Sequence, residues 1–455
     1  MLKPEELTDR STDQTMKMFA GPDPDEYSKC VHCGFCLEVC PTYQQLSDEN
    51  HSPRGRVFLI KQVAEGTLPL EAAEDPVFAC LDCRACETVC PSGVPVGHLI
   101  EMSRGQIHDV RTQAQKQSRR ERWMLRGLFS HPRRLRLAGG LLRFYQLSGL
   151  RRAARAVGAL KLLPRHLQEI EAGLPTVPSR RSDFSLPLPV PAPSDHRSTQ
   201  PVRVGLLTGC VMDVLFADVN DATVRVIARN HMTVVVPKGQ VCCGALHVHA
   251  GDREEAQALA RRNIDEFLGS QVDFVVTNSA GCGAAMKEYG DLLRDDPVYR
   301  EKAQAFSAVV RDISEILVEQ GFDAPTGRLD RQVTYHDACH LCHAQRIREQ
   351  PRQLLTAIEG VDLIEMPDSE RCCGSAGVYN LTHPDMARQL LERKITDIPE
   401  QASAVVMGNP GCMIQIRAGL AAHGRSTTVL HTVQLLDMAY QAEMAEAQAS
   451  SAPKR

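Results

Sequence analysis

The sequence predicts a multidomain protein in which an α-helical, cysteine-rich amino-terminal domain precedes a duplicated α/β cysteine-rich domain. Eight of the 17 cysteines form two compact groups near the amino terminus, and eight of the other nine recur at a constant interval further along the chain. A proline-rich stretch lies between the two sets. The 455 residues suffice for about three domains of ~150 residues each.

Composition and charge narrow the function classes. The chain is 43% apolar and 24% charged, as is usual for soluble globular proteins. No stretch approaches the ~18 consecutive apolar residues of a membrane-spanning helix, and the polar, acidic amino terminus does not resemble a secretory signal. We therefore expect a cytoplasmic protein, where many cysteines at CxxC spacing indicate metal binding rather than disulfides.

The two amino-terminal cysteine groups share one spacing. CVHCGFCLEVCP and CLDCRACETVCP both fit CxxCxxCxxxCP, the run of bacterial-type [4Fe-4S] proteins, in which the fourth cysteine serves the other cluster. The expected ligand sets are Cys30, Cys33, Cys36 and Cys90 for one cluster, and Cys80, Cys83, Cys86 and Cys40 for the other. Zinc is the alternative, but a tetrahedral site has no use for a third and fourth cysteine so close by. Two neighbouring clusters suit electron relay.

The spacer between the motifs predicts helix, because Val57, Ile60 and either Val63 or Ala64 recur on one face. We therefore predict an α-helical ferredoxin-type domain over residues 1–103.

Residues 104–174 form a basic helical segment. Between Arg104 and Arg165, sixteen Lys or Arg stand against two acids, and apolar residues such as Trp123 and Leu141 interleave with Arg at helical spacing. This pattern predicts contact with an anionic membrane face or an acidic partner, with a solvated helical face as the alternative. Nucleic acid is not expected, because the segment contains no recognisable nucleic-acid-binding motif. A proline-rich linker at 175–201 and a disordered tail at 442–455 complete the prediction outside the repeats.

Two repeats are predicted, at 202–330 and 331–441. The first contains Cys210, Cys242, Cys243 before Gly244, and Cys282, and the second contains Cys339, Cys372, Cys373 before Gly374, and Cys412, at offsets of 129 or 130 residues. This regularity indicates internal duplication, and alternating β-rich and helical runs predict a mainly parallel sheet in each copy. We call these repeats CCG modules, after the Cys-Cys-Gly run.

Thiols that follow strands in such a sheet point to ligation or redox chemistry. Ligands gather at the carboxyl ends of parallel strands, and a helix amino terminus favours the thiolate that a metal needs. Each set of four could hold a further cluster, with inert buried cysteines as the alternative. Cys342 has no counterpart in the first copy and is predicted to be an ordinary thiol or an auxiliary ligand. For the nearby histidines, His247, His249, His336, His340 and His343, we favour structural roles.

These residues resemble the family of glycolate oxidase iron-sulfur subunits over almost the whole chain. The phrases that carry the resemblance are CVHCGFCLEVCPTY, SPRGR, LTGCVMDVLFADVNDAT, CCGALHVHAGD, YHDACHL, CCGSAGVYN and NPGCMIQI. The resemblance implies FAD-bearing partner subunits that oxidise glycolate or D-lactate, and electron transfer through this chain towards a membrane quinone, without a catalytic base here. The alternatives are a thiol/disulfide enzyme similar to heterodisulfide reductase, and the iron-sulfur subunit of an anaerobic glycerol-3-phosphate or lactate dehydrogenase.

One departure concerns the ends of the modules. In the heterodisulfide reductase pattern each module ends in CxxC and supplies five thiolates, whereas Ala285 and Gln415 stand at the final positions here. Five-thiolate ligation is therefore not expected, and the sequence leaves the cluster type and number in the modules open.

Overall fold

The computed structural model describes residues 21–114, 123–179 and 201–451. A helical domain comes first, a helical linker follows, and two α/β modules complete this part of the chain, so the predicted fold class is confirmed. Residues 180–200 of the predicted proline-rich linker lie outside the described ranges.

The amino-terminal domain is built from short helices and two longer ones, of which one lies in the spacer and the other follows the second cysteine motif. These are α1 (Pro24–Tyr27), α2 (Pro41–Leu46), α3 (Pro53–Ala64), α4 (Glu71–Phe78), α5 (Ala85–Thr88) and α6 (Val96–Gln113), with a 3-10 turn at Glu49–His51. Helix α3 begins after Ser52, whose hydroxyl accepts a hydrogen bond from Gly55 N–H at 2.9 Å. Val57 and Ile60 are buried and Val63 packs against them, while Ala64 is exposed, so the core face follows Val63.

The linker packs its helices on both modules. It contains a π-helical turn (Trp123–Phe129), α7 (Pro132–Leu147), α8 (Leu150–Ala156), a 3-10 turn (Ala159–Leu162) and α9 (Arg165–Gly173). A Cβ added at Gly139 of α7 would overlap Val214 of the first module. One added at Gly173 of α9 would lie 2.6 Å from the Cβ of Ala418 in the second module. These close approaches explain why glycine stands at both positions, since a side chain there would clash with the modules.

The two modules repeat one topology. The first contains β1 (Arg203–Leu207), α10 (Cys210–Leu215), α11 (Ala217–Arg229), β2 (Thr233–Val235), α12 (Ala245–His249), α13 (Arg253–Leu268), β3 (Phe274–Thr277), α14 (Ala280–Lys287), α15 (Tyr289–Leu292), α16 (Arg300–Val309), β4 (Val310–Asp312) and α17 (Ile313–Gln320). The second contains β5 (Arg331–Tyr335), a π-helical turn (His340–Ala344), α18 (Glu349–Thr356), β6 (Val361–Leu363), α19 (Tyr379–Thr382), α20 (Pro384–Asp397), β7 (Ala404–Met407), α21 (Pro410–Ala422), β8 (Thr428–His431) and α22 (Thr432–Ser451). Both sheets are parallel, in the orders β2-β1-β3-β4 and β6-β5-β7-β8.

The modules share a core, and the last helix crosses between them. One buried apolar cluster joins Val204 and Ile313 of the first module to Val406 of the second. Helix α22 packs on α11, where Arg225 forms a two-pronged ion pair with Asp437 at 2.7 and 2.9 Å. The predicted disordered tail at 442–455 is therefore wrong as far as Ser451, because a helix anchored by these contacts continues through it.

Candidate metal centres

Two neighbouring concave sites in the amino-terminal domain gather the eight predicted cluster thiols. The first site is lined by Cys30, Cys33, Cys36, Cys86 and Cys90. The second is lined by Cys40, Cys80, Cys83 and Cys86. Cys90 thus lies with the first motif and Cys40 with the second, while Cys86 borders both sites. All 17 cysteines of the chain are free thiols.

The first site lies at the surface. Its loop turns through left-handed backbone at His32 and Gly34, with φ of 55° and 89°, and Arg54 holds it by donating a hydrogen bond to the His32 carbonyl at 3.1 Å. Cys33 is exposed and is flanked by Val31 and Phe35, which are 69% and 66% exposed. The first site is therefore open to a partner.

The second site is buried beside a cation. Arg56 is 1% exposed and donates hydrogen bonds to the Pro76 carbonyl at 2.6 Å and the Thr42 hydroxyl at 3.0 Å. Its guanidinium also reaches 3.9 Å from Cys40 Sγ. Burial raises the pKa of Cys80, and the positive charge of Arg56 opposes that rise. The buried cation thus assists the deprotonation of Cys80 that metal binding requires.

The donor sets of both sites fit iron-sulfur clusters. Each offers four sulfur atoms, and burial raises the pKa of Cys83 and Cys86 well above the usual range, so that protons hold these thiols until a metal displaces them. Bound clusters supply one-electron transfer. The cysteines of the two sites would hold the clusters, burial of the second site would shield its cluster from water, and Arg56 would balance part of its charge.

The thiols of the two modules line one shared cavity of about 410 Å³. They are Cys210, Cys242, Cys243, Cys282, Cys339, Cys372, Cys373 and Cys412. His249 and His340 line the same cavity, with ring centroids 5.2 Å apart. The sequence predicted a separate site in each copy and gave no indication that both sets face one space.

The backbone explains how each set is assembled. Cys210 opens α10 just after β1, and Cys282 stands in the first turn of α14 just after β3, as the sequence predicted. Gly244 and Gly374 have φ of 87° and 85° and turn the chain directly after the paired cysteines. A Cβ on Gly374 would lie 2.5 Å from the carbonyl oxygen of Ala387.

In the first module, one thiol is already poised as a ligand. The Cys210 and Cys242 sulfurs lie 3.7 Å apart. Side-chain hydrogen bonding with Cys210 and Cys243 lowers the pKa of Cys242 well below its usual value, although burial acts in the opposite direction. The same interactions raise the pKa of Cys210 and Cys243. Cys242 therefore loses its proton more readily than its two neighbours, which favours metal binding there.

In the second module, a histidine joins the thiols. Ligand atoms of His336, Cys373 and Cys412 all lie within 4.8 Å of one another. Burial, together with the nearby Lys394 ammonium, lowers the pKa of His336 to about 3, so its ring is neutral. The Asn409 side-chain amide donates to Cys412 Sγ at 3.4 Å.

Cys342 and His343 have other surroundings. Cys342 is not among the residues that line the shared cavity, and its sulfur lies 3.8 Å from the carbonyl oxygens of Asp337 and Cys339. His343 Nδ1 lies 2.9 Å from the Thr88 hydroxyl of the amino-terminal domain. His343 therefore helps to join two domains.

The second amino-terminal site packs directly on the second module. Cys83 belongs to one buried cluster with Cys339 and Cys372. The Tyr379 hydroxyl donates a hydrogen bond to the Ala79 carbonyl at 3.0 Å across the same interface. Sulfur atoms of the two domains are thus brought into one packed region, a long-range contact that no sequence motif revealed.

Arg84 joins the same site to the first module. Its buried guanidinium forms an ion pair with Glu288, which directly follows α14, and another with Glu101 at 3.2 Å. The Asp82 carboxylate lies 3.7 Å from Arg84 Nε. Sequence reasoning missed Arg84 because the cysteine spacing places no requirement on the residues between Cys83 and Cys86.

Comparisons with known proteins agree with this arrangement. Residues 26–94 match the 4Fe-4S dicluster domain, 116–174 match the linker region of the glycolate oxidase iron-sulfur subunit, and 204–287 and 333–417 match the cysteine-rich domain. A probable glycolate oxidase iron-sulfur subunit of Bacillus subtilis is 41% identical over 92% of this chain and 95% of its own length. The glycolate oxidase iron-sulfur subunit of Escherichia coli is 36% identical over 91% and 94%. Lactate utilization protein A of Oceanobacillus iheyensis is 29% identical over 52% and 97%.

The chain belongs to the family of glycolate oxidase iron-sulfur subunits. Family membership confirms the predicted class, an iron-sulfur subunit of an oxidoreductase complex, and favours it over the thiol/disulfide enzyme. It also confirms iron-sulfur clusters as the cofactor over zinc. Gln415, which stands where the heterodisulfide reductase pattern has the final cysteine of a module, accepts a hydrogen bond from Asn380 at 3.1 Å.

Proposed function

We propose that this chain takes electrons from a flavoprotein partner that oxidises glycolate and passes them through its clusters to a membrane quinone. The observation that carries the proposal is the unbroken succession of thiol groups, from the exposed first site through the buried second site to the shared cavity. The names of the relatives point to glycolate. Two-electron flavin chemistry in the partner is thereby divided into single-electron steps.

The ligand sets proposed are those with exchanged fourth cysteines. Cys90 completes the first cluster and Cys40 the second, and the lining of the two sites supports this exchange. The test is electron paramagnetic resonance on anaerobically purified single variants. Cys90→Ser should give the same altered spectrum as Cys33→Ser, and Cys40→Ser the same as Cys83→Ser. If Cys90→Ser instead matched Cys83→Ser, and Cys40→Ser matched Cys33→Ser, the exchange of fourth ligands would be contradicted.

We further propose that each module holds an iron-sulfur centre at its four cysteines. The lowered pKa of Cys242 and the close approach of the Cys373 and Cys412 sulfurs support this. Iron analysis should find more than the about eight atoms per chain that two [4Fe-4S] clusters provide. Cys242→Ser and Cys372→Ser should each lower the iron content without changing the spectra of the amino-terminal clusters.

The flavoprotein is proposed to dock at the first site. Val31 and Phe35 are exposed apolar side chains on either side of an exposed ligand thiol, and such patches mark protein contacts. Phe35→Ser should slow reduction of the clusters by glycolate in the complex at unchanged iron content. Val298→Ser, at another exposed apolar residue, is the control. The chain without its flavoprotein should not reduce a dye with glycolate, and if it does, the electron-transfer role is refuted.

The membrane contact is proposed for the outer face of α7. Leu135, Leu142 and their neighbours line the shared cavity, whereas Leu137, Leu141 and Phe144 are 64–67% exposed on another face. A helix that is apolar on both faces is normally covered on both. Helix α7 therefore lies between the cavity that holds the module thiols and the outer surface.

Charge supports an anionic lipid surface as the cover. Residues 123–174 contain ten Lys or Arg and two Glu, and each basic residue near such a surface contributes about 1 kcal/mol. No helix in the described ranges is long and apolar enough to cross a membrane, so the contact proposed is peripheral. The holoprotein should float with anionic vesicles and not with neutral ones, and high salt should weaken binding. Leu141→Gln combined with Phe144→Gln should abolish flotation, whereas Val157→Gln should not. Unchanged flotation of the double variant would refute this face.

A further inference from the structure

The two modules differ at one position beside their thiols. His336 stands three residues before Cys339, and Leu207 stands three residues before Cys210 at the end of the equivalent strand. A second difference accompanies it, since Lys394 of the second module corresponds to Ile264 of the first at the offset of 130 residues. The second module therefore has two polar groups where the first has two apolar ones.

The imidazole of His336 is fully buried and lacks a well-formed hydrogen bond. It is 0% exposed, and neither ring nitrogen has a hydrogen-bond partner of acceptable geometry among the described residues. The nearby Ser369 carbonyl already accepts from Lys394 Nζ at 3.2 Å and from Asp337 N–H at 3.2 Å. A buried polar group without a well-formed hydrogen bond destabilises the fold, which requires an explanation.

The thiols supply the explanation. A ligand atom of His336 lies within 4.8 Å of Cys373 Sγ and Cys412 Sγ, and these two sulfurs are equally close to each other. Three converging donors on separate segments satisfy the spacing of a metal site, and neutral imidazole and thiolate both bind iron. Lys394, which donates to the Asp368 carbonyl at 2.7 Å, places a positive charge beside the group.

We propose that His336 is a ligand of the iron-sulfur centre in the second module, so that the first module holds an all-thiolate centre and the second a mixed thiolate-imidazole one. The inference rests on the proposed presence of a centre in the second module. Imidazole binds as a neutral ligand, whereas a thiolate in its place would add negative charge and lower the reduction potential of the centre.

The test uses holoprotein purified without oxygen, labelled with a nitrogen isotope in histidine only, and reduced for pulsed electron paramagnetic resonance. The wild-type spectrum should contain a strong nitrogen coupling from a directly bound imidazole. His336→Leu, which installs the residue of the first module, should lose this coupling and keep the amino-terminal clusters. His423→Gln, at an exposed histidine near the end of α21, should leave the spectrum unchanged.

His336→Cys guards against a folding defect, because it supplies a thiolate in place of the ring. It should retain the iron of the module, lose the nitrogen coupling and titrate at a lower potential. Absence of coupling in the wild type, or its survival in His336→Leu, would overturn the assignment of this ligand. Iron that does not exceed about eight atoms per chain would overturn the proposed module centres, and the ligand with them.

Discussion

Adjacent glycines in α7 have opposite surroundings, and their substitution should have opposite effects. Gly139 is buried against the first module, and a Cβ there would overlap Cγ1 of Val214. Gly140 is exposed, and a Cβ there would meet nothing within 4 Å. The pair therefore tests whether α7 is docked closely enough to close the shared cavity.

The magnitudes follow from helix propensity and packing. Gly140→Ala should stabilise α7 by about 0.5–1 kcal/mol, because alanine loses less backbone entropy in a helix. Gly139→Ala gains the same amount but must displace Val214, whose branched side chain has little rotational freedom. Overpacking of this kind costs about 1–3 kcal/mol. The net effect expected is a loss of about 1–2 kcal/mol.

Hydrogen exchange of α7 amides in the intact holoprotein measures this local stability. Gly140→Ala should slow exchange by up to about fivefold, and Gly139→Ala should accelerate it by about five- to thirtyfold. Adding Val214→Ala should reverse most of the second effect, since the two residues are in contact. If both alanines slow exchange equally, α7 does not pack on the module as described.

Three further predictions concern other parts of the chain. Gly244→Ala should destabilise the protein by about 1–2 kcal/mol, because alanine is strained in left-handed backbone. Gly374→Ala should destabilise it more, because its Cβ would also meet a carbonyl oxygen. Denaturant midpoints and the iron content of the modules should show both effects. Arg84→Gln should destabilise the protein by about 3 kcal/mol because it leaves buried carboxylates without their cation, whereas Arg328→Gln, in an exposed ion pair, should change the midpoint by at most about 1 kcal/mol. Burial raises the pKa of Asp312 to about 6, so the folded state binds its proton more tightly and the contribution of this group to stability falls as pH rises from about 4 to about 6. Asp312→Asn, which keeps the helix cap, should therefore be more stable than wild type at pH 7.5, with an advantage that shrinks towards pH 5; an advantage independent of pH would contradict this pKa.

Local spacing was enough to predict much of the fold. The CxxCxxCxxxCP runs, the periodicity at Val57 and Ile60, and the constant offset between the CCG modules each describe features within one segment of chain. Such features can be predicted from sequence because they depend on local backbone geometry and on repeated topology. They predicted the helical spacer, the two parallel sheets and the position of thiols after strands.

The same reasoning could not predict contacts between segments that are distant in the sequence. The packing of Cys83 on Cys339 and Cys372 joins motifs some 250 residues apart, and no pattern in either motif encodes the other. The tail prediction failed for a related reason. Its composition favours disorder, but buried Tyr440 and the Arg225–Asp437 ion pair anchor the helix from a remote surface.

The exposure of the thiol sites indicates where a partner can deliver electrons to this chain. The first site is exposed at Cys33, the second is enclosed with Arg56, and the second module is reached through the packed contact of Cys83 with Cys339. A surface site can receive electrons from a large partner, whereas an enclosed site can only exchange them with its neighbours. The shared cavity follows in this series of contacts, and α7 forms part of its lining. Under the proposed function, electrons that enter at Cys33 would leave from the cavity on the side where α7 faces the proposed lipid surface.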